Sequence, residues 1–206
     1  MVPRRPAARK MTDSDLPLLV VVTGPPAAGK TTIATALAAE IGLPLIAKDP
    51  LKETLHDSLG GEGREWSRQL GVATFELVFH VLDELLRNRC SVVTEGNFGR
   101  AEPFRALPPA RILQLHVSAR QESIRERFTT RPARHAVHYD AETVNELTDE
   151  THAGQWTPLA LEGELIEIDT TTFPDVAELT ARLAKRLMMR RSGRPAEPGF
   201  PRREPR

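Results

Sequence analysis

The chain has 206 residues and sets 28 Lys and Arg against 28 Asp and Glu, for a net charge of zero. That length holds one α/β domain with a good core, and the single cysteine, Cys90, excludes an internal disulfide and a Cys-x-x-Cys metal site. No apolar run is long enough to span a bilayer and no secretory pattern opens the chain, so a reducing cytoplasm is the expected compartment.

The charge is unevenly placed. Arg4, Arg5, Arg9 and Lys10 open the chain without an acid, and residues 190–206 carry six arginines against Glu197 and Glu204. Such stretches suit nucleic acid or a membrane surface. Pro- and Arg-rich composition with almost no aromatic residue fits solvated disorder better. The expected organisation is a disordered basic tail over 1–15, one domain over 16–190 and a second disordered tail over 191–206.

Residues 18–22 (LLVVV) form a continuous apolar run, the mark of a strand buried on both faces. Residues 24–31 (GPPAAGKT) then match the phosphate-loop pattern G-x-x-x-x-G-K-[ST]. Gly24 and Gly29 permit backbone turns and close approaches that a Cβ would obstruct. Pro25 and Pro26 shape the loop without donating, and the N–H groups of Ala27, Ala28 and their neighbours, followed by a helix N-terminus at Lys30, Thr31 and Thr32, converge on phosphate oxygens. Lys30 brings a mobile charge to the β and γ phosphates, and Thr31 offers a hydroxyl to Mg²⁺. Ala34, Leu37, Ala38 and Ile41 continue at helical spacing.

A second strand is expected over 43–47. Asp49-Pro50 then predicts a helix start, with Asp49 as the cap and Pro50 in the first turn. Residues 51–59 follow as helix until Gly60, Gly61 and Gly63 end it. A long helix over 65–88 is predicted to bury Leu70, Ala73, Thr74, Leu77, Val81, Leu82 and Leu85. Residues 90–94 are the third strand, ending at Glu95-Gly96-Asn97-Phe98. The fourth covers 111–117, with His116 a satisfied interior histidine. A helix over 119–129 carries Arg120, Arg125 and Arg127. Residues 132–140, with His135, His138 and Asp140, form a basic loop, and a helix over 142–152 follows. The fifth strand, 165–168, ends at Asp169, and an amphipathic helix over 175–190 closes the domain on Val176, Leu179, Leu183 and Leu187. Trp66 and Trp156 are assigned to packing.

Strands alternating with helices predict a parallel sheet covered on both faces, with all strand C-termini along one edge. Ligands bind at that edge. The phosphate loop, Asp49, Glu95, Asn97 and Asp169 all fall there. A carboxylate such as Asp49 can orient and deprotonate an acceptor hydroxyl. Glu95 stands where an acid near the metal is expected, and Asn97 and Phe98 would line the acceptor pocket. Arg127 and Arg131, four apart, suit a lid that stacks on a base and neutralises a phosphate, with Arg134 and His138 as further contacts and water excluded on closure. His135, His138 and Asp140 are a weak metal pattern, ranked below lid or surface roles.

GPPAAGKTT, KDPLKETL, VVTEGNF, RERFTTR with RHAVHYD, and LIEIDTT together resemble the small ATP-dependent P-loop kinases of the nucleoside-monophosphate-kinase type, and more narrowly the AAA-domain predicted-kinase group. Chloramphenicol phosphotransferase, gluconate kinase, polynucleotide kinase and zeta toxins are its neighbours. The resemblance runs from about residue 18 to 187. It implies a three-layer α/β/α fold with a five-stranded parallel sheet in the order 2-3-1-4-5, a basic lid over about 127–140, and use of ATP with Mg²⁺. It places Asp49 as base, Arg127 and Arg131 as lid arginines, and Thr171 of LIEIDTT beside the nucleotide. Glu95 falls at the Walker B position, in a Glu-Gly-Asn context rather than with the usual Asp. The chain lacks the extra helical subdomain of ring-forming AAA machines. The expected activity is phosphoryl transfer to a hydroxyl of a small molecule. Polynucleotide 5′-hydroxyl kinase, nucleotide-sugar kinase and a regulatory ATP-binding switch are the rivals; monomer and homodimer stay open.

Overall fold

The computed structural model describes residues 15–130, 135–138 and 156–191. The two tails, Arg131, Arg134, Asp140 and the helix expected over 142–152 lie outside the described residues. Five parallel strands, β1 (Leu18–Thr23), β2 (Leu45–Ala47), β3 (Val92–Glu95), β4 (Arg111–Ser118) and β5 (Glu164–Asp169), pair in the order β2-β3-β1-β4-β5. β1 is central and every one of its residues is buried, as an apolar run without alternation requires.

Two apolar layers cover the sheet. On one face Val20, Val22, Leu113 and Leu115 meet Ile33 and Leu37 of α1 (Lys30–Ile41) and Leu179 and Leu183 of the closing helix. On the other, Leu19, Val21 and Val92 meet Val78, Leu82 and Leu86 of the long helix α3 (Arg64–Arg87). The buried stripe of α3 is Leu70, Thr74, Val78, Leu82 and Leu86, whereas Leu77 is 41% exposed. The expected face was therefore rotated. Apolar residues stand in adjacent pairs at 77–78, 81–82 and 85–86, and sheet packing selects the second of each. α1 ends in a left-handed Gly42 at φ 65°, with the Leu43 N–H returning to the Ala38 carbonyl at 3.0 Å.

α2 (Lys48–Leu59) starts directly after β2, two residues before the expected first helical position at Pro50. Its cap position is Ala47, so Asp49 is not the cap: it lies in the first turn, where a negative charge suits the helix dipole. α4 (Glu102–Arg105) is a single turn, and α5 (Gln121–Thr130) follows β4. The last helix, α6 (Val176–Arg191), is capped by Asp175, whose Oδ1 accepts the Glu178 N–H at 3.0 Å. None of the described helices is long and apolar enough to cross a membrane.

Candidate active site

The strand register brings the C-terminal ends of all five strands to one edge: Val22 opposite Glu95, Ala47 opposite Glu95, Thr23 opposite His116, and Ser118 opposite Asp169. A cleft of about 840 Å³ opens there. Its nucleotide end is the loop over 24–31. Gly24, Ala27 and Gly29 have φ of 137°, 58° and 88°, positive values of the kind found in loops that wrap an anion. A Cβ on Gly24 would lie 1.9 Å from the Val117 carbonyl oxygen, and one on Gly29 would lie 2.4 Å from the Phe173 ring. These close approaches account for both glycines. Ala27 accepts a left-handed conformation that costs an L-residue about 1–2 kcal/mol, strain of the kind that gathers at ligand sites.

Lys30 is buried and donates from Nζ to the Pro25 carbonyl oxygen at 2.8 Å. The Thr31 hydroxyl donates to Glu95 Oε2 at 3.3 Å. Glu95 is itself 4% exposed. Burial raises its pKa above the ordinary 4.5 and Asp49 adds to the rise, while Lys30, the Thr31 hydrogen bond and Lys48 oppose it. A hydroxyl and a carboxylate held together beside this loop and the N-terminus of α1 are a donor set that fits Mg²⁺ and a polyphosphate.

Arg127, near the end of α5, reaches back to this loop. Its Nη1 donates to the Ala27 carbonyl at 3.4 Å and to Thr170 Oγ1 at 3.1 Å, its Nη2 bonds the Thr170 carbonyl, and its guanidinium lies 5.3 Å from the Phe173 ring centre. Thr170, fully buried, donates its hydroxyl to the Ala28 carbonyl at 2.8 Å. The residue that touches the loop is thus Thr170. Thr171, expected beside the nucleotide, turns away, and its hydroxyl accepts the Arg120 N–H at 2.9 Å. Asp169, at the same edge, is exposed and accepts the Thr171 N–H at 2.8 Å, which closes the turn after β5.

The acceptor end is formed by α2, the start of α3 and the stretch 135–138. Asp49 lines it and pairs with Lys48 Nζ at 3.0 Å; Asn97 and Gly96 line it as well. Phe98 does not. It is 5% exposed and packs at centroid distances of 5.7, 5.9 and 5.0 Å against Phe75, Phe79 and Phe104. Its aromatic surface is absorbed by the core, which corrects the expected acceptor contact.

His138 lines the cleft, with Nε2 at 2.7 Å from Glu53 Oε1. His135 Nε2 lies 2.9 Å from Asp57 Oδ1, and its Nδ1 accepts the Val137 N–H at 3.2 Å. That second bond leaves the proton on Nε2, so His135 donates to Asp57 rather than offering Nε2 to a metal. Two histidines on two carboxylates one helical turn apart strap 135–138 onto α2. His116 is interior, 5% exposed, but Nδ1 has no partner among the described residues. Trp66 donates from Nε1 to the Gly60 carbonyl at 2.5 Å, a packing role over the glycine turn. Lys48, Lys52, Arg64, Ser67 and Arg68 also line the acceptor end. Their i,i+4 spacing on α2 and α3 was visible in the sequence as a possible shared face, but unremarked lysines and arginines at that spacing are ordinarily a solvated surface.

A 2-3-1-4-5 parallel sheet carrying this loop after its central strand defines a small P-loop kinase of the nucleoside-monophosphate-kinase-like type. The chain belongs to the AAA domain family, which matches residues 19–152. A proposed kinase from Chloroflexus aurantiacus is 30% identical, with a TM-score of 0.73 over 82% of this chain and 98% of that one. The fold is shared with a sugar kinase from Janibacter sp. (18% identity, TM-score 0.59, 87% and 99% covered) and a shikimate kinase from Bacteroides thetaiotaomicron (18%, 0.54, 84% and 99%). No curated protein sequence matches the chain significantly.

Proposed function

We propose that the protein transfers the γ-phosphoryl group of ATP to a hydroxyl of a small molecule. The observation that carries this reading is the convergence on one cleft of the phosphate loop, the Thr31–Glu95 pair and Asp49. A bare ATP-binding switch has no use for a carboxylate aimed into a second, acceptor-sized end of the same cleft. The kinase neighbours agree with this class of reaction.

In this reading residues 24–32 hold the polyphosphate, and Lys30 leaves the Pro25 carbonyl to meet the β and γ oxygens. Mg²⁺, when bound, would be held by Thr31 and, directly or through water, Glu95, and neutralises charge on the terminal phosphates. The base lies against Phe173 and Arg127, whose planar groups suit stacking. Asp49 orients the acceptor hydroxyl and takes its proton as the oxygen bonds to the γ-phosphorus and the bond to the β-γ bridging oxygen breaks, releasing ADP. Lys48, paired with Asp49 at 3.0 Å, holds that carboxylate in position and places a positive charge near the reacting centre. Arg127 neutralises charge at the transferring group, and Asn97 and His138 bound the acceptor.

Labelled-ATP transfer to a panel of polyols, sugar acids, nucleosides and antibiotics tests the proposal. Asp49→Asn is expected to bind Mg-ATP near-normally while transfer falls by about 10²–10⁴-fold. Unchanged turnover would remove Asp49 from the mechanism. Hydrolysis without any phosphorylated product, in the whole panel, would favour the switch.

A further inference from the structure

The phosphate loop accounts for the polyphosphate of the donor but not for the choice of its base. Phe173, in the turn after β5, lines the cleft with Thr32 and Arg127. Its ring rests on the loop, where a Cβ added to Gly29 would meet it at 2.4 Å, yet the residue stays 41% exposed. The Arg127 guanidinium lies 5.3 Å from the ring centre and is itself held by Thr170, through Oγ1 at 3.1 Å and through the carbonyl. An aromatic ring is thus braced by loop backbone and by a cation, with surface left over for a ligand.

Discrimination between bases needs donors and acceptors that meet a base edge. In the turn that carries Phe173 those groups are spent on one another. The Thr170 N–H donates to the Ser118 carbonyl at 2.7 Å and its hydroxyl to the Ala28 carbonyl at 2.8 Å. The Thr171 N–H donates to Asp169 Oδ1 at 2.8 Å, and the Thr171 hydroxyl accepts the Arg120 N–H at 2.9 Å. Ser123 Oγ donates to the Thr171 carbonyl at 3.4 Å. Thr31 and Thr32, in the first turn of α1, belong to the polyphosphate. A ring face attracts every base, whereas a site rejects an analogue strongly only where it was built to hydrogen-bond the group that differs.

We infer that the donor is selected by the face of its base and not by the edge: a purine nucleoside triphosphate, ATP or GTP alike, stacks on Phe173. The inference rests on the kinase reading for the seat of the polyphosphate, and on Phe173 and its turn for the base. Phe173 sets how much the base adds to binding. Exchange of the amino group at C6 for a keto oxygen changes little, and the smaller face of a pyrimidine stacks less well.

Titration calorimetry on the full chain with Mg²⁺ tests this with ATP, GTP, CTP and inorganic tripolyphosphate, which has the phosphates and no base. ATP and GTP are expected to bind within about tenfold of each other, and CTP more weakly than either. Both purines are expected to bind about 5–150-fold more tightly than tripolyphosphate, the scale of one base stacked on one ring. Phe173→Leu keeps apolar bulk on Gly29 and removes the ring; most of that gain is expected to vanish while tripolyphosphate binds as before. Phe173→Tyr keeps a ring and is expected to keep the gain. Should Phe173→Leu not fold, the four wild-type affinities decide the matter. A preference between ATP and GTP beyond about tenfold, CTP binding as tightly as the purines, or a gain that survives in Phe173→Leu would overturn the inference. Tripolyphosphate binding with nothing added by a base would sink it and leave the phosphate loop standing. Donor binding as expected, with no labelled product from any acceptor, would sink the kinase reading alone. If none of the four binds, both fall.

Discussion

The two ends of the cleft are built from different materials. At the nucleotide end, apart from Lys30, Arg127 and Phe173, the contacts are backbone or short side chains: a loop with positive φ at Gly24, Ala27 and Gly29, the Thr31 hydroxyl on Glu95, and Thr170 on Ala28. At the acceptor end they are long, charged side chains on α2 and α3, held by one another and by the 135–138 strap. A backbone cradle fixes its shape through the loop conformation, whereas side chains on helix faces can change without moving the sheet. One end is therefore set by conformation, the other by composition.

The severest way to break this contrast is at Lys30, the long side chain that rises from within the loop itself. Lys30→Ala is expected to lower transfer about 10³-fold, the scale of losing a preorganised charge at the transferring group, while circular dichroism shows an intact fold. If turnover is retained, the cradle is not where the phosphoryl group leaves.

The same contrast explains what could be read from the residues. The loop over 24–31 was legible because its chemistry demands particular residue types in a fixed order, and β1 because an unbroken apolar run before it has one sensible placement. Asp49 and Asn97 were legible as positions at strand ends. Phe98 was not, because a strand end tells where a residue lies along the sheet but not whether its ring turns toward cleft or core; that depended on Phe75, Phe79 and Phe104 arriving from two other elements. Thr170 and Thr171 could not be told apart for a similar reason: three threonines after β5 offer the same chemistry, and the turn closed by Asp169 chooses which hydroxyl meets the loop. Lys52 and Ser67 are fifteen residues apart on separate helices, and only the packing of α2 on α3 joins them.

A subtler change sharpens the contrast by separating stability from function within the nucleotide end. Glu95→Gln keeps the side-chain volume and removes a carboxylate whose pKa burial has raised. A raised folded pKa means that ionisation is harder in the fold than in the unfolded chain, so above the ordinary 4.5 the charge is a net cost to folding. The variant without nucleotide is therefore expected to melt at the same temperature as the wild type at pH 7, or higher. Its Mg-dependent transfer is expected to fall about 10–100-fold, the usual scale for groups supporting a metal. Lower stability together with normal transfer would place Glu95 among purely structural residues.

The smallest expected effect concerns His116, which lies on β4 opposite Thr23, beneath the loop rather than in the cleft. Burial lowers its pKa from 6.5, against the opposing pull of Glu167 and of a backbone hydrogen bond with Trp156, and Lys30 adds to the lowering. The sign follows from proton uptake. As pH falls through 6.5 the unfolded chain gains a proton at this histidine while the folded chain does not, so folding is progressively disfavoured down to the lowered folded value. Above 6.5 both forms are neutral and the contribution is complete. Glu95 works in the opposite sense at lower pH, so the wild-type profile alone mixes the two. The difference between wild type and His116→Gln isolates the histidine: the variant is expected to lose less melting temperature between pH 7 and about pH 5. Parallel melting curves across that range would mean that His116 takes its proton in the fold as readily as in the open chain. The ground beneath Lys30 would then be better solvated than its burial implies, and the contrast between a nucleotide end set by conformation and an acceptor end set by composition would weaken.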